Sequence, residues 1–349
     1  MVIELDTHNP IVSVIIPHCN GEAILRDCLS SLYQSSKIDI EVILVDNAST
    51  DNSISMLKKN FPDVKIVSLP ENLGFAGGCN KGIQEASAPY ILILNNDTVH
   101  KEGWIEYLLE KIKSRSTIAA VQPKLLSYQD NDYFDYSGAA GGEMDIFCFP
   151  FARGRIFENI EKDNGQYDNT PERVFWASGT AFLARKELLR KAGLFDDSFF
   201  AHMEEIDLQW RLQLMGCEIV IEPQSVVWHR SGYTLGAEAP FKKYLNHRNS
   251  LFMFLTNYCF MLTIYLLPIR IFLDDIAIFF SLVRFDFGRI LGILKAHFWI
   301  ITHPKTILKK RKKVKSLRIV KDQQVLRYIY HGSIALNYFL FGKKKYSEL

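Results

Sequence analysis

Three carboxylates fall within four positions in the stretch FAHMEEIDLQWRLQLMG: Glu204, Glu205 and Asp207. Acidic side chains at a helix start favour the helix dipole, but capping needs fewer than three. Like charges held close raise one another's pKa, which makes one of the group a candidate general base. Asp207 also stands four residues before Arg211, the spacing of a helical ion pair. A second acidic point is LNND, where Asp97 follows an apolar run and a short turn. A divalent ion that bridges two phosphates needs few protein ligands, and those are hard oxygens; Asp97 can supply one, or can simply be a turn residue. His229 follows the apolar SVVW, downstream of the acidic helix. Asp46-Asn47 closes another apolar run, where a carboxylate can fix a nucleobase or ribose, or else cap a helix. NLGFAGGCN carries Gly74, Gly77 and Gly78, which permit close backbone approach to a ligand. No convincing Ser-His-Asp or Cys-His arrangement offers a protein nucleophile.

These residues need elements to hold them. The β-branched run 11–17 predicts a strand stopped by Pro17, and 22–33 carries apolar residues at Ile24, Leu25, Cys28, Leu29 and Leu32, one face of a helix. Strands are predicted at 41–46, 64–69 and 90–97, with helices after NASTDNS and from the glycine loop to about Ala88. Ser49, Thr50 or Asp51 is placed to cap the helix after NASTDNS. Alternation of strand and helix predicts a mostly parallel sheet of right-handed βαβ units. Ligands of such sheets gather beyond the carboxyl ends of the strands, where Asp46, the Asn72–Asn80 loop and Asn95-Asn96-Asp97 all fall. Residues 127–172 are polar and poorly periodic and read as a variable excursion over an acceptor side. Strand character resumes at 175–184, followed by helices at 186–193 and 204–215 and short strands in CEIVIEP and SVVWH.

Composition separates the chain into two parts. Residues 1–240 carry an acidic excess of 13 charges and residues 241–349 a basic excess of 15, within a net charge of +2. This predicts a catalytic domain over 1–240 and a helical, apolar and basic region over 241–349. Residues 251–267 are 17 uncharged residues, at the lower limit for spanning a bilayer. Lys and Arg then cluster in 305–318. The apolar helices either pack as ordinary core or lie on a membrane, with the basic cluster against anionic lipid. No nucleic-acid-binding module is recognisable in the basic stretch, so a nucleic-acid partner is not expected. The scattered cysteines read as free thiols of a reducing compartment, and MVIELDTHNP has no leader pattern, so a cytoplasmic protein on the inner membrane face is expected. Oligomeric state stays open.

The ordered set VSVIIPHCNG (12–21), VILVDNASTDNS (42–53), ENLGFAGGCNKGI (71–83), ILILNNDTV (91–99), GLFDDSFFAHMEEIDLQWRLQLMG (193–216) and VVWH (226–229) resembles family 2 of the glycosyltransferases, which have the GT-A fold. It is most similar to the rhamnosyltransferase-like members that build bacterial surface polysaccharides. The resemblance implies that Pro17, Cys19 and Asp46 line a nucleoside pocket, with Asn47 beside them and Asn72 and Asn80 near ribose and phosphates. Asp97 would be the metal ligand of the family's D-x-D-type motif, whose first acidic position is here Asn95, beside Asn96. His229 would complete coordination of Mg²⁺ or Mn²⁺. Glu205 stands where the family's catalytic aspartate is expected, one methylene longer. Trp176 and Gly179 would approach the acceptor or the sugar. The implied reaction is a single inverting displacement from a nucleotide-diphosphate sugar, dTDP-rhamnose or a UDP-hexose, to a hydroxyl of a glycan acceptor carried on a lipid. The alternatives are a nucleotidyltransferase, which would need a basic glycine-rich loop where PHCNGEAIL stands, and a non-catalytic sugar- or lipid-binding scaffold.

Overall fold

The structure, a computed structural model, describes residues 10–230 and 240–349; the segment used above for the leader reading lies outside them, save for Pro10. Strands β1 (Val12–His18), β2 (Ile40–Asp46), β3 (Lys65–Ser68) and β4 (Tyr90–Leu94) alternate with helices α1 (Glu22–Ser35), α2 (Ser53–Asn60) and α3 (Gly74–Glu85), as the periodicity predicts. β1 pairs in parallel with β2 on one edge and with β4 on the other, and β2 pairs with β3. The chain therefore builds outward from β1 to β3 and then returns to the far edge of β1. That reversal opens a crevice at the carboxyl ends of β1 and β4.

Between residues 98 and 127, where the periodicity above assigns no element, lie β5 (Thr98–His100), α4 (Trp104–Ser114) and β6 (Ile118–Ser127). Residues 127–172 are more ordered than their composition suggests. They form a small antiparallel sheet of β7 (Gly142–Met144), β8 (Pro150–Ala152), β9 (Arg155–Ile156) and β10 (Asn159–Ile160). Strands of two or three residues are too short to display a period of two, so the sequence pattern is blind to them. β11 (Arg173–Val174), β12 (Ala181–Arg185), α5 (Lys186–Ala192), α6 (Glu204–Leu214) and β13 (Glu218–His229) complete the first part. β12 lies antiparallel between β4 and β6, and β13 is parallel to β6. β3, β2, β1, β4, β6 and β13 thus all run one way, which makes the sheet mostly parallel. The two strands expected in CEIVIEP and SVVWH are one strand, irregular in register between Glu222 and Val226. Pro223, which has no N–H to donate, sits in that break.

The loops after β1 and β2 knit together. Asp51 accepts from the backbone N–H groups of Gly21 and Glu22, so it satisfies the start of α1 rather than only its own helix. Asn52 holds the N-cap position of α2 without a side-chain cap bond, and Asp51 accepts from the Ser53 N–H at 3.0 Å. The glycines of the third loop serve packing. Gly74 has φ +71°, and a Cβ there would meet the Phe200 carbonyl oxygen at 2.4 Å. A Cβ on Gly78 would meet the Asn47 amide at 2.8 Å. Both glycines allow protein to approach closely, and Gly74 also lines the cleft described below.

The C-terminal helices are α7 (Pro240–Asn257), α8 (Phe260–Val283), α9 (Phe287–Thr302), α10 (Pro304–Leu317), α11 (Asp322–Leu326) and α12 (Ile334–Phe339). The uncharged run 251–267 is divided between α7 and α8 by a break at Tyr258 and Cys259. No helix among the described residues is long and apolar enough to cross a membrane. One buried apolar cluster joins Phe175, Ile206 and Trp210 of the first part to Phe252, Tyr258 and Val314 of the helices. The basic cluster of α10 is split by the same packing. Lys310 is buried and reaches Asp196 at 3.0 Å and Asp207 at 2.9 Å. Arg311 donates to the carbonyls of Leu255 and Tyr258, while Lys305, Lys309 and Lys312 stay exposed.

Candidate active site

A cleft of about 1360 Å³ opens at the carboxyl ends of β1 and β4 and is closed on its far side by α6 and α7. Pro17, Cys19, Asn47, Asn72, Asn95, Asn96, Asp97, Trp176, Gly179, Glu204, Glu205 and His229 all line it. The chain brings them there from seven separate segments, each placed by a strand end or a helix start.

Asp97 and His229 face each other because β13 pairs antiparallel with β5, in a register that sets His229 opposite Thr98. His229 Nε2 lies 3.1 Å from Asp97 Oδ1. The contact is off the ring N–H direction, so Oδ1 has no directed hydrogen bond. On its other side, His229 Nδ1 lies 2.9 Å from Asp135 Oδ1. Burial disfavours charge on this imidazole, but Asp135 and Asp97 outweigh it and hold its pKa at about 10. Burial also works against charge on Asp135, yet His229 and Ser137 together lower its pKa. Asp135 orients the histidine as an outer-sphere carboxylate orients a metal ligand. Sequence reasoning missed it, because 94 residues separate the pair.

Asp97 and His229 supply two donor groups. Among the described residues no group of three His, Cys, Asp or Glu side chains is gathered that could hold a metal alone. An anionic oxygen without a directed partner, beside an imidazole, fits a divalent ion whose remaining ligands come from a diphosphate. His18 is a second residue the sequence reading passed over. The Asn96 amide nitrogen lies 2.7 Å from His18 Nδ1. An amide nitrogen only donates, so Nδ1 accepts, and the proton sits on Nε2, which has no partner. Burial holds the His18 pKa below its usual value, so the ring is neutral where it lines the cleft.

Glu204 and Glu205 begin α6 on the opposite wall. Glu204 is buried and Glu205 half-buried, and each keeps one buried carboxylate oxygen without a hydrogen bond. Burial raises the pKa of both, and the Glu205 charge raises that of Glu204 further. Backbone N–H groups at the helix start, and that of Gly179, oppose the shift at Glu205. A Cβ on Gly179 would stand 3.1 Å from the Phe75 ring and 3.8 Å from the Glu205 carboxyl carbon. The glycine therefore leaves the carboxylate room.

Asp46, Asn80 and Asp207 do not line the cleft. Asp46 accepts from the Ser49 N–H and shapes the turn after β2. Asn80 bonds the backbone of Phe195 in both directions and the Asp197 carboxylate, clasping α3 to the loop before α6. Asp207 points away from Glu205 on α6. It accepts from Arg211 at 3.0 Å and Asn257 at 2.9 Å and is ion-paired with Lys310 at 2.9 Å. The i,i+4 spacing with Arg211 was the informative signal for that residue.

Sheet order, crevice and paired acidic walls define a nucleotide-binding α/β protein of GT-A type. The family model described as Glycosyl transferase family 2 matches residues 13–193, just over half of the chain, and the chain belongs to that family. It is 26% identical over 228 residues to a poly-beta-1,6-N-acetyl-D-glucosamine synthase of Staphylococcus epidermidis, covering 64% of this chain and 51% of the relative. It is 25% identical over 250 residues to an N-acetylglucosaminyl-diphospho-decaprenol L-rhamnosyltransferase of Mycobacterium tuberculosis, covering 67% and 80%. The chain thus spans about half the length of the first of these relatives. In fold it is similar to GalNAc-T7 bound to UDP, GalNAc and Mn²⁺, with TM-score 0.56 at 17% identity, over 71% of this chain and 48% of that one. It is also similar to a mannosyltransferase of Pyrobaculum calidifontis bound to GDP-Man and Mn²⁺, with TM-score 0.53 at 15% identity, over 92% and 88%.

Proposed function

We propose that the protein is a metal-dependent, inverting glycosyltransferase that moves a sugar from a nucleotide-diphosphate donor to an acceptor hydroxyl in cell-surface polysaccharide synthesis. The observation that carries this reading is the placement of Glu205, a half-buried carboxyl with a raised pKa and one free oxygen, across a single cleft from Asp97 and His229. Asp97 and His229 would hold Mg²⁺ or Mn²⁺ together with the donor diphosphate, the ion taking the place of the Nε2 proton that His229 otherwise carries. When bound, the ion supplies positive charge against the departing diphosphate. The chain's own residues do the rest. Pro17, Asn47, Asn72 and the neutral His18 ring shape the nucleoside end. Glu205 takes the proton of the acceptor hydroxyl as its oxygen attacks the anomeric carbon from the face opposite the diphosphate. Trp176 and Gly179 keep the wall beside Glu205 compact. No protein nucleophile is required, since one displacement inverts the centre.

The acceptor is read as lipid-linked and the enzyme as seated on an anionic membrane surface. Phe287, Leu291, Leu294, Phe298 and Ile301 form an exposed stripe at helical spacing on α9, beside exposed Met261, Tyr265, Phe272 and Phe279 on α8. The exposed lysines of α10 follow directly. Such a surface suits a bilayer interface, with basic side chains toward anionic headgroups.

A donor panel tests the reading. dTDP-rhamnose, UDP-GlcNAc, UDP-galactose and GDP-mannose are incubated with the protein, with and without Mn²⁺ or Mg²⁺, and nucleoside diphosphate release is measured. At least one donor should be turned over slowly in water and only with metal. If none is hydrolysed and none raises Tm under any metal condition, the reading falls.

A further inference from the structure

The cleft continues past the catalytic carboxylates toward α7, α8 and α12. Its wall there holds Arg155, only 7% exposed, with the guanidinium 4.7 Å from the centroid of the Tyr136 ring. No carboxylate lies within ion-pair distance of it among the described residues, and Nε has no hydrogen-bond partner. A buried guanidinium is costly without a counter-charge, so a cleft that keeps one is matched to an anion brought by a ligand. Lys242 on α7 also lines the cleft, half-buried and without an ion pair among the described residues. Both cations sense the exposed carboxylate of Glu158, and Arg155 also senses Asp135, which is already paired with His229.

From Arg155 an aromatic path leads outward. Phe157 lies 5.1 Å from Phe339, and Phe339 stacks on Phe280 at 6.1 Å. Phe280 in turn adjoins Phe279, on the exposed apolar face of α8. Cations at the inner end and aromatic rings running to an apolar surface match an amphiphile with a doubly charged head and a long hydrocarbon tail.

We propose that this arm of the cleft is the acceptor's lipid-diphosphate site, with Arg155 and Lys242 holding the diphosphate and Phe157, Phe339 and Phe280 carrying the first part of the hydrocarbon chain. The proposal rests on the glycosyltransferase reading for the word acceptor, but the site itself is testable alone. The anion could also be the donor's own diphosphate, and the arms of the experiment separate the two sources.

Farnesyl diphosphate, inorganic diphosphate, and UDP or dTDP with Mn²⁺ are titrated against the full chain by calorimetry. Wild type should bind farnesyl diphosphate at least tenfold more tightly than inorganic diphosphate. Arg155→Gln and Lys242→Gln should each weaken farnesyl diphosphate about tenfold and leave nucleotide binding within threefold. Phe339→Asp should weaken farnesyl diphosphate and leave inorganic diphosphate unchanged. If Arg155→Gln fails to fold, Lys242→Gln and Phe339→Asp carry the test. Nucleotide binding without farnesyl diphosphate binding would overturn the site. Equal loss of nucleotide in the Arg155 and Lys242 variants would assign these cations to the donor instead and overturn it as well. Farnesyl diphosphate binding without any nucleotide binding would overturn the glycosyltransferase reading while supporting the site.

Discussion

The sheet region and the α8–α9 hairpin are both rich in apolar residues, yet they use them in opposite ways. In the sheet, Val14, Ile15, Ile16, Ile43, Leu44, Ile93 and Leu94 are fully buried between layers of helix. On the hairpin, Phe272 is 61% exposed, Phe298 68% and Ile301 75%. Burying an apolar side chain stabilises by roughly 1.5–3 kcal/mol, so the first group supplies folding energy and the second does not. Under the proposed reading the exposed face meets a bilayer interface rather than water. Polar residues invert in the same way. Buried charges of the sheet region such as Asp135 and Asp207 are paired inward, and those of α10 divide between an internal role at Lys310 and an external one at Lys305, Lys309 and Lys312.

That contrast can be broken at several points. The largest expected effect is at Glu205: Glu205→Gln should lower kcat by about 10²–10⁴-fold and keep donor binding within threefold. Turnover near wild type would remove Glu205 from its role as base. Asp97→Ala should abolish the Mn²⁺-dependent part of nucleotide binding, read by calorimetry with and without the ion. Persistence of that part would place the metal elsewhere. Lys310→Met leaves Asp207 and Asp196 short of a buried counter-charge and should cost about 3 kcal/mol in chemical denaturation. A loss below about 0.5 kcal/mol would show α10 to be peripheral to the core. Phe272→Asp with Phe298→Asp should reduce co-sedimentation with phosphatidylglycerol vesicles about tenfold and change stability by under 1 kcal/mol, because both side chains are exposed. Unchanged sedimentation would dissolve the difference between the two regions.

The smallest effect is in pH. Glu205 has a raised folded pKa, so it holds its proton to a higher pH than an unfolded glutamate would. A base must be ionised, so kcat/KM should rise with pH, about tenfold per unit below that pKa, and level off above it. The stability contribution has the opposite sign. The protonated form is fully accommodated below the unfolded glutamate pKa, and the carboxyl becomes a burden as pH climbs from there through the raised value. A flat rate profile across pH 5–8 would sink the assignment.

Much of the site was written in local sequence. Asp97, Glu205 and His229 each follow or begin an element whose period is visible within ten residues, and the elements fix which way these side chains point. The strands of the parallel half are β-branched runs, and the helices between them show one apolar face. What stayed hidden depends on partners far along the chain. Asn80 looks like a ligand residue in its glycine-rich loop, yet it bonds Phe195, 115 residues away. Asp207 shares a helix start with Glu205, but a helical turn of about 100° per residue sends it to the opposite wall, toward Lys310.

The sequence alone determined the alternation of the first four strands and three helices and the acidic and basic parts of the chain, and it singled out the three residues that the proposed chemistry uses. These follow from short-range propensity and period, which a chain carries whatever its partners are. Tertiary structure alone decided that Asp135 holds His229, that α10 braces α6 through Lys310, that the polar stretch 127–172 folds into a small sheet, and that Arg155 is buried without a counter-charge. Each depends on burial or on a group brought from a distant segment, and neither exists until the sheet has set the distances.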